Sequence, residues 1–111
     1  MKLDNTKAQM RKGVLEFCIL SLLNDAEAYP SEIIGKLKEA KLIVVEGTLY
    51  PLLTRLKTAH LLSYRWEESS SGPPRKYYTL TKEGQNFLQS LEVTWEDLVN
   101  AVKLTRQNQS K

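Results

Sequence analysis

Residues 46 to 62, EGTLYPLLTRLKTAHLL, hold the side chains best placed to do chemistry on a partner. Leu49, Leu52, Leu53 and Leu56 fall at i, i+3, i+4 and i+7, the spacing of a helix with one apolar face. The other face carries Thr48, Tyr50, Pro51, Thr54, Arg55 and Thr58. Small hydroxyls, one ring and one guanidinium together offer hydrogen bonds to oxygen-rich anionic surfaces. They do not offer catalysis. The chain has no nucleophile with an adjacent base, no phosphate-cradling glycine loop and no ligand cluster, so no enzyme is expected. One cysteine, Cys18, and one histidine, His60, cannot assemble a zinc site or an internal disulfide. No metal or cofactor is expected.

A chain of 111 residues that is 41% hydrophobic makes one domain, with room for a modest core and something to gain from a second subunit. Its longest apolar runs are four or five residues, far short of the roughly 20 that span a bilayer. The basic amino terminus is not followed by an apolar leader, so a cytoplasmic protein with no membrane partner is expected. Sixteen basic residues against 13 acidic permit an anionic partner without demanding one. Residues 1 to 82 hold 13 basic and 9 acidic side chains, whereas residues 83 to 111 hold 3 and 4. Positive charge therefore belongs to the body, although charge of this density also suits a plain solvated surface.

The elements that must position the polar face follow from the periodicity. Residues 5 to 24 grow increasingly apolar without a proline, which predicts one helix with a buried second half. Pro30 suits a first helical position, and Ile33, Ile34 and Leu37 mark a second helix to about Ala40. The break KLIVVEG leads into the third, where Pro51 lies near enough to the first turn to be tolerated. After Ala59 the period changes to two: Leu62, Tyr64 and Trp66 alternate with Ser63, Arg65 and Glu67, a half-buried strand. EESSSGPP predicts a flexible turn, and RKYYTL a returning strand. Tyr77 and Tyr78 point to opposite sides of that strand. Thr81 can cap a long helix to about Arg106, although Gly84 stands where a capping box wants Glu or Gln. Residues 108 to 111 are expected to be a frayed tail.

This order, three helices, a hairpin and a long helix, predicts a mainly α fold with a small β-hairpin (α+β). It is a winged helix-turn-helix over residues 1–80 with a C-terminal dimerisation helix over 81–107. In such folds the third helix enters the major groove of double-stranded DNA by its N-terminal half. Thr48 can then bond to a phosphate or base edge, Pro51 and the threonine methyls can meet thymine methyls, and Arg55 can reach a guanine edge or a phosphate.

The stretches EGTLYPLLTRLKTAHLL, YRWEESSSGPPRKYYTLTKEG and, more loosely, YPSEIIGKLKEA resemble the PadR family of bacterial winged-helix transcriptional regulators, over about residues 11 to 90. Pro30 and Ser31 depart from the Gly or aromatic residue usual in that family. The resemblance implies a homodimeric repressor reading an inverted repeat of ATGT and ACAT type. It implies Gly47, Thr48, Tyr50, Pro51 and Arg55 as recognition-helix contacts, with Thr54 on the same face, and Arg75 and Lys76 as wing contacts. Tyr50 can alternatively pack against the second helix. The short C-terminal part resembles the compact subfamily with a single dimerising helix.

Leu88, Leu91, Trp95, Leu98 and Val102 are spaced 3, 4, 3 and 4, a seam that a second chain, the first helix of the same chain, or both would cover. Trp95 is oversized for such a seam and brings an N–H that needs a partner, so it tends to border a cavity. Its position also resembles that of the tryptophan in multidrug-responsive members of the subfamily. That implies a planar aromatic or hydrophobic effector between paired indoles, with Glu16, Phe17, Leu20 and Val99 as further wall candidates. Trp95 as plain core is the other reading. An effector there would tilt the long helices and shift the separation of the recognition helices, which DNA sets at about 34 Å. Cys18 reads as a small buried hydrophobe and His60 as a helix-ending residue. The rival function is a winged-helix docking module that uses the hairpin and Trp66 and binds no DNA.

Overall fold

The computed structural model describes residues 1–108. Its elements run α1 (Leu3–Lys12), α2 (Leu15–Asp25), α3 (Pro30–Glu39), α4 (Glu46–Thr58), β1 (Leu62–Ser69), β2 (Gly72–Leu80) and α5 (Lys82–Asn108). The expected single helix over residues 5 to 24 is two. Gly13 and Val14 form a turn between them, where glycine weakens the helix and Val14 adopts a non-ideal φ of −117°. The break separates two different surfaces. No residue of α1 is buried, whereas Leu15, Ile19, Leu20 and Leu23 of α2 enter the core.

Ile33 and Leu37 of α3 and Leu49, Leu53 and Leu56 of α4 meet them, and Leu62, Tyr78 and Leu88 close the cluster from the hairpin and α5. Helices α3 and α4 end in the same way. The Leu42 N–H bonds the Leu37 carbonyl and the Lys41 N–H that of Lys38; the Leu61 N–H bonds Leu56 and the His60 N–H bonds Lys57. These are Schellman endings, and they place Lys41 (φ 69°) and His60 (φ 65°) in the left-handed region that glycine adopts at lower cost. His60 therefore ends its helix through its backbone.

The hairpin pairs Leu62 with Leu80, Tyr64 with Tyr78 and Trp66 with Lys76 in antiparallel register, with a bulge between Glu67 and Ser69. Gly72, Pro73 and Pro74, expected in the loop, belong to β2, and only Ser70 and Ser71 form the turn. A two-stranded ribbon consists of edges, so proline there costs no ladder bond that a third strand would need. A short strap braces the ribbon. The Ala28 N–H bonds the Tyr78 carbonyl at 3.2 Å, and the Tyr78 N–H bonds the Ala28 carbonyl at 2.9 Å. On either side, Arg65 forks onto Glu27 and Tyr29 meets Tyr77 edge-on, ring centroids 5.2 Å apart.

Helix α5 starts at a tight joint. Thr81 Oγ1 accepts from the Gly84 N–H at 2.9 Å and donates to the His60 carbonyl at 2.7 Å, while the Thr81 N–H bonds the Leu61 carbonyl at 3.1 Å. Gly84 is required by space. A Cβ there would overlap the Leu61 carbonyl oxygen and lie 2.7 Å from Leu80 Cδ1. Residue 108 of the expected frayed tail continues α5, and residues 109–111 lie outside the described part.

Candidate functional site

Helix α4 turns Leu49, Leu53 and Leu56 inward, which leaves Gly47, Thr48, Tyr50, Pro51, Thr54, Arg55 and Thr58 exposed. Its N-cap, Val45, has no side-chain hydrogen bond to give, so the first N–H groups of the helix are open to an outside acceptor. Pro51 lies in the second turn rather than the first. Its missing N–H leaves the Gly47 carbonyl without the usual helical donor, again on the exposed face.

Across a cleft from α4 stands the hairpin. The cleft, about 450 Å³, is lined by Tyr50, Thr54 and Glu46 of α4, by Pro30 and Ser31 at the start of α3, and by Trp66, Pro74, Arg75 and Lys76 of the wing. The structure thus brings Tyr50, Thr54, Arg75 and Lys76 into one concavity. Tyr50 borders it beside the first turn of α3 and stays about half exposed. Glu46 adds a carboxylate that sequence reasoning did not include.

Aromatic rings hold the cations in place. The Arg75 guanidinium lies over the Tyr29 ring at 4.4 Å, and Lys76 Nζ lies 4.5 Å from the Tyr64 ring and 5.2 Å from that of Trp66. Arg65, by contrast, stacks on Tyr77 at 4.9 Å but is neutralised by Glu27 and Glu67. That hydrogen-bonded pair holds the Glu27 carboxyl below its ordinary range and pushes the Arg65 guanidinium up. Of the wing arginines, Arg75 therefore keeps its charge available. Arg55 points elsewhere: its Nη2 lies 3.3 Å from Glu16 Oε1 on α2.

A second concavity lies apart from the cleft and shares no lining residue with it. An apolar groove of about 740 Å³ runs between α1 and α5, lined by Met10, Val14, Trp95, Leu98, Val99 and Val102, with Arg11, Lys103 and Arg106 at its rim. Trp95 and Val99, both wall candidates from sequence, line it, and Phe17 meets the indole from α2 at 6.2 Å between ring centroids. Two wall candidates are corrected. Leu20 is wholly buried in the core, and Glu16 is taken by Arg55. Met10 and Val14, on either side of the break between α1 and α2, also line the groove and were not among the residues expected from sequence.

The heptad seam is corrected as well. Leu88 is buried within this chain and Leu91 packs against the same core, so that half of the seam is already covered. Trp95, Leu98 and Val102 remain 41%, 54% and 49% exposed. Cys18 is partly buried, and that burial pushes its thiol above the ordinary range, away from the thiolate that redox chemistry uses. Among the described residues, no group of acidic, histidine or cysteine side chains could hold a metal ion, and no helix is long and apolar enough to cross a membrane.

Comparison with known proteins agrees with this architecture. The model of the transcriptional regulator PadR-like family matches residues 19–90. A PadR-like transcription factor from Bacteroides fragilis is 64% identical, with 89% of this chain and 96% of that one covered and a TM-score of 0.77. A PadR family transcriptional regulator from Eggerthella lenta superposes at a TM-score of 0.84 with 33% identity, covering 90% and 88%. Bacillus subtilis PadR, solved in complex with operator DNA, is 26% identical over 72% of this chain and 47% of its own, at a TM-score of 0.67. With the winged fold, the exposed polar face of α4 and the wing cations in place, the chain belongs to the PadR-like family of transcriptional regulators and is not an enzyme.

Proposed function

We propose that this protein is a cytoplasmic, homodimeric DNA-binding repressor that reads an inverted repeat with two copies of α4. The observation that carries the reading is the cleft in which the polar face of α4 meets Arg75 and Lys76. A duplex that places α4 in its major groove brings a backbone strand across that cleft, where cations can neutralise phosphate while Thr48, Tyr50, Pro51, Thr54 and Arg55 meet base edges or further phosphates. Bacillus subtilis PadR in its operator complex supports the same use of the fold.

Residues 1–80 serve as the DNA-binding head and 81–107 as the dimerising helix. The exposed strip of Trp95, Leu98 and Val102, together with Leu3 and Met10 of an α1 that buries nothing, is the surface a second copy covers. The groove beside Trp95 then takes a flat apolar effector, which releases DNA by altering the angle between the two α5 helices and with it the spacing of the heads.

The test is a fluorescence-anisotropy titration of duplexes tiling the region upstream of the protein's own gene, beside scrambled duplexes, with wild type and Arg55→Ala at two salt concentrations. Selective, salt-sensitive binding that weakens about tenfold or more in the variant is expected. Weak binding, equal on every duplex and indifferent to Arg55, would transfer the wing and its exposed Trp66 to a protein partner instead. For the effector, Trp66→Phe leaves Trp95 as the sole indole reporter; quenching by planar compounds without any change in DNA affinity would refute the release mechanism.

A further inference from the structure

Arg55 and Glu16 are 39 positions apart in sequence, and the fold sets the guanidinium of one 3.3 Å from the carboxylate of the other. The two ends of the pair differ. The Arg55 side chain is 73% exposed on the recognition face and free to swing, whereas that of Glu16 is 30% exposed in the first turn of α2, where the helix dipole favours a negative charge. Phe17, the next residue, anchors that turn against Trp95. Among the described residues Arg55 has no other acidic partner within ion-pair distance. The arginine on the exposed face of α4 is thus paired with an internal anion that stays behind when it leaves.

We propose that Glu16 is a specificity-setting residue that competes with DNA for Arg55. A lone phosphate on arbitrary DNA exchanges one carboxylate for one phosphate and leaves Glu16 unpaired beside a polyanion, so the exchange gains little. A base edge that accepts two hydrogen bonds from the guanidinium, as guanine does, offers more than the carboxylate gives up. Glu16 therefore weakens binding to arbitrary sequence more than binding to the operator. It also lowers the salt dependence, since an arginine that stays with Glu16 neutralises no phosphate and so releases none of the cations condensed on the duplex. This inference rests on the DNA-binding reading and assigns α2 a part in it.

The experiment compares wild type, Glu16→Gln, Arg55→Ala and the double variant on a scrambled 30-base-pair duplex and on the best-bound upstream duplex, across a salt series. Glu16→Gln keeps the shape and removes the charge, and thermal melts confirm that all four proteins fold. On scrambled DNA, Glu16→Gln is expected to bind about 3- to 10-fold more tightly, and its plot of log affinity against log salt to steepen by about 0.9, the contribution of one extra phosphate contact. On the upstream duplex the gain is smaller, so discrimination falls. In the Arg55→Ala background the same substitution should give neither the gain nor the steeper slope. Unchanged affinity and slope in Glu16→Gln, equal gain on both duplexes, or a gain that survives without Arg55 would each overturn the proposal. Should wild type itself fail to bind any duplex in a salt-sensitive way, the DNA-binding reading fails and this inference falls with it, an outcome separable from the other three.

Discussion

Replacing Gly84 by alanine sets two physical effects against each other. Gly84 lies inside α5, where helix propensity alone would make alanine about 1 kcal/mol more stable than glycine. The joint at the start of α5 says the reverse. The new methyl would overlap the Leu61 carbonyl and approach Leu80 Cδ1 to 2.7 Å, and the nearest of those atoms is backbone rather than a pliable side-chain end. Relieving it means moving α5 off the α4–β1 turn. Overpacking of this kind costs about 1–3 kcal/mol, and the Thr81 N–H to Leu61 and Thr81 Oγ1 to His60 bonds that would stretch contribute about 1 kcal/mol each. Set against the propensity gain, Gly84→Ala is expected to destabilise by about 2–4 kcal/mol. Gly35 provides the control, a mid-helix glycine in α3 with nothing within 4 Å of its would-be Cβ. Gly35→Ala should stabilise by about 0.5–1 kcal/mol. Urea unfolding at one fixed protein concentration measures both, because dimerisation would otherwise shift the midpoint. If Gly84→Ala matched or exceeded wild type, the close approach at this joint would be refuted.

Three other outcomes are expected. His60→Gly relieves a left-handed backbone at the end of α4 and should raise stability by about 1 kcal/mol, or about 4–8 °C in thermal midpoint; a lower midpoint would mean that the imidazole contributes more than its backbone strain costs. The depressed Glu27 carboxyl stabilises the wing above its unfolded value of 4.5, and that contribution is lost as pH falls through the lower folded value. Glu27→Gln should therefore flatten the acid limb of stability below about pH 4.5 as followed by Tyr and Trp fluorescence, and superimposable acid curves would count against the Arg65 pair. Val102→Asp places a charge in the exposed strip of α5 and should shift sedimentation from dimer to monomer while helix content holds; a variant that stayed dimeric would put the interface elsewhere.

How much of this could be read from sequence divides along physical lines. Features carried by local period were legible: the leucine face of α4, the alternation through Leu62, Tyr64 and Trp66, and the Thr81 start of α5 all stand where spacing placed them. Features that depend on what lies across a gap were not. Leu88 fits the heptad as well as Trp95 does, and only the arrival of α2 and the hairpin decides that one is buried and the other open. Gly84 looked like a missing capping residue, when its reason is a carbonyl 23 residues earlier. Glu16 pairs with Arg55 instead of lining the groove because α2 packs against several elements, and sequence alone does not say which one each side chain meets. The Schellman endings were concealed for a different reason. Lys41 and His60 occupy positions where glycine is the usual signal, leaving only the succeeding Leu42 and Leu61 to mark them.

The joint at Thr81 and Gly84 also determines how motion is transmitted. Because α5 begins clamped to the α4–β1 turn, and the strap at Ala28 clamps the wing to the same body, head and long helix form one stiff piece. Trp95 lies 13 residues along that piece from Lys82, about 20 Å by helical rise. In the proposed dimer, anything that wedges the two α5 helices apart at Trp95 works as a lever with the head on its long arm. A tilt of about 5° about that point moves the root of each head by about 2 Å, in opposite directions across a two-fold axis, with no rearrangement inside either head. The leverage belongs to the helix length and the tightness of one glycine contact, so a loosened joint would let the same wedge turn α5 while the heads stayed on their DNA.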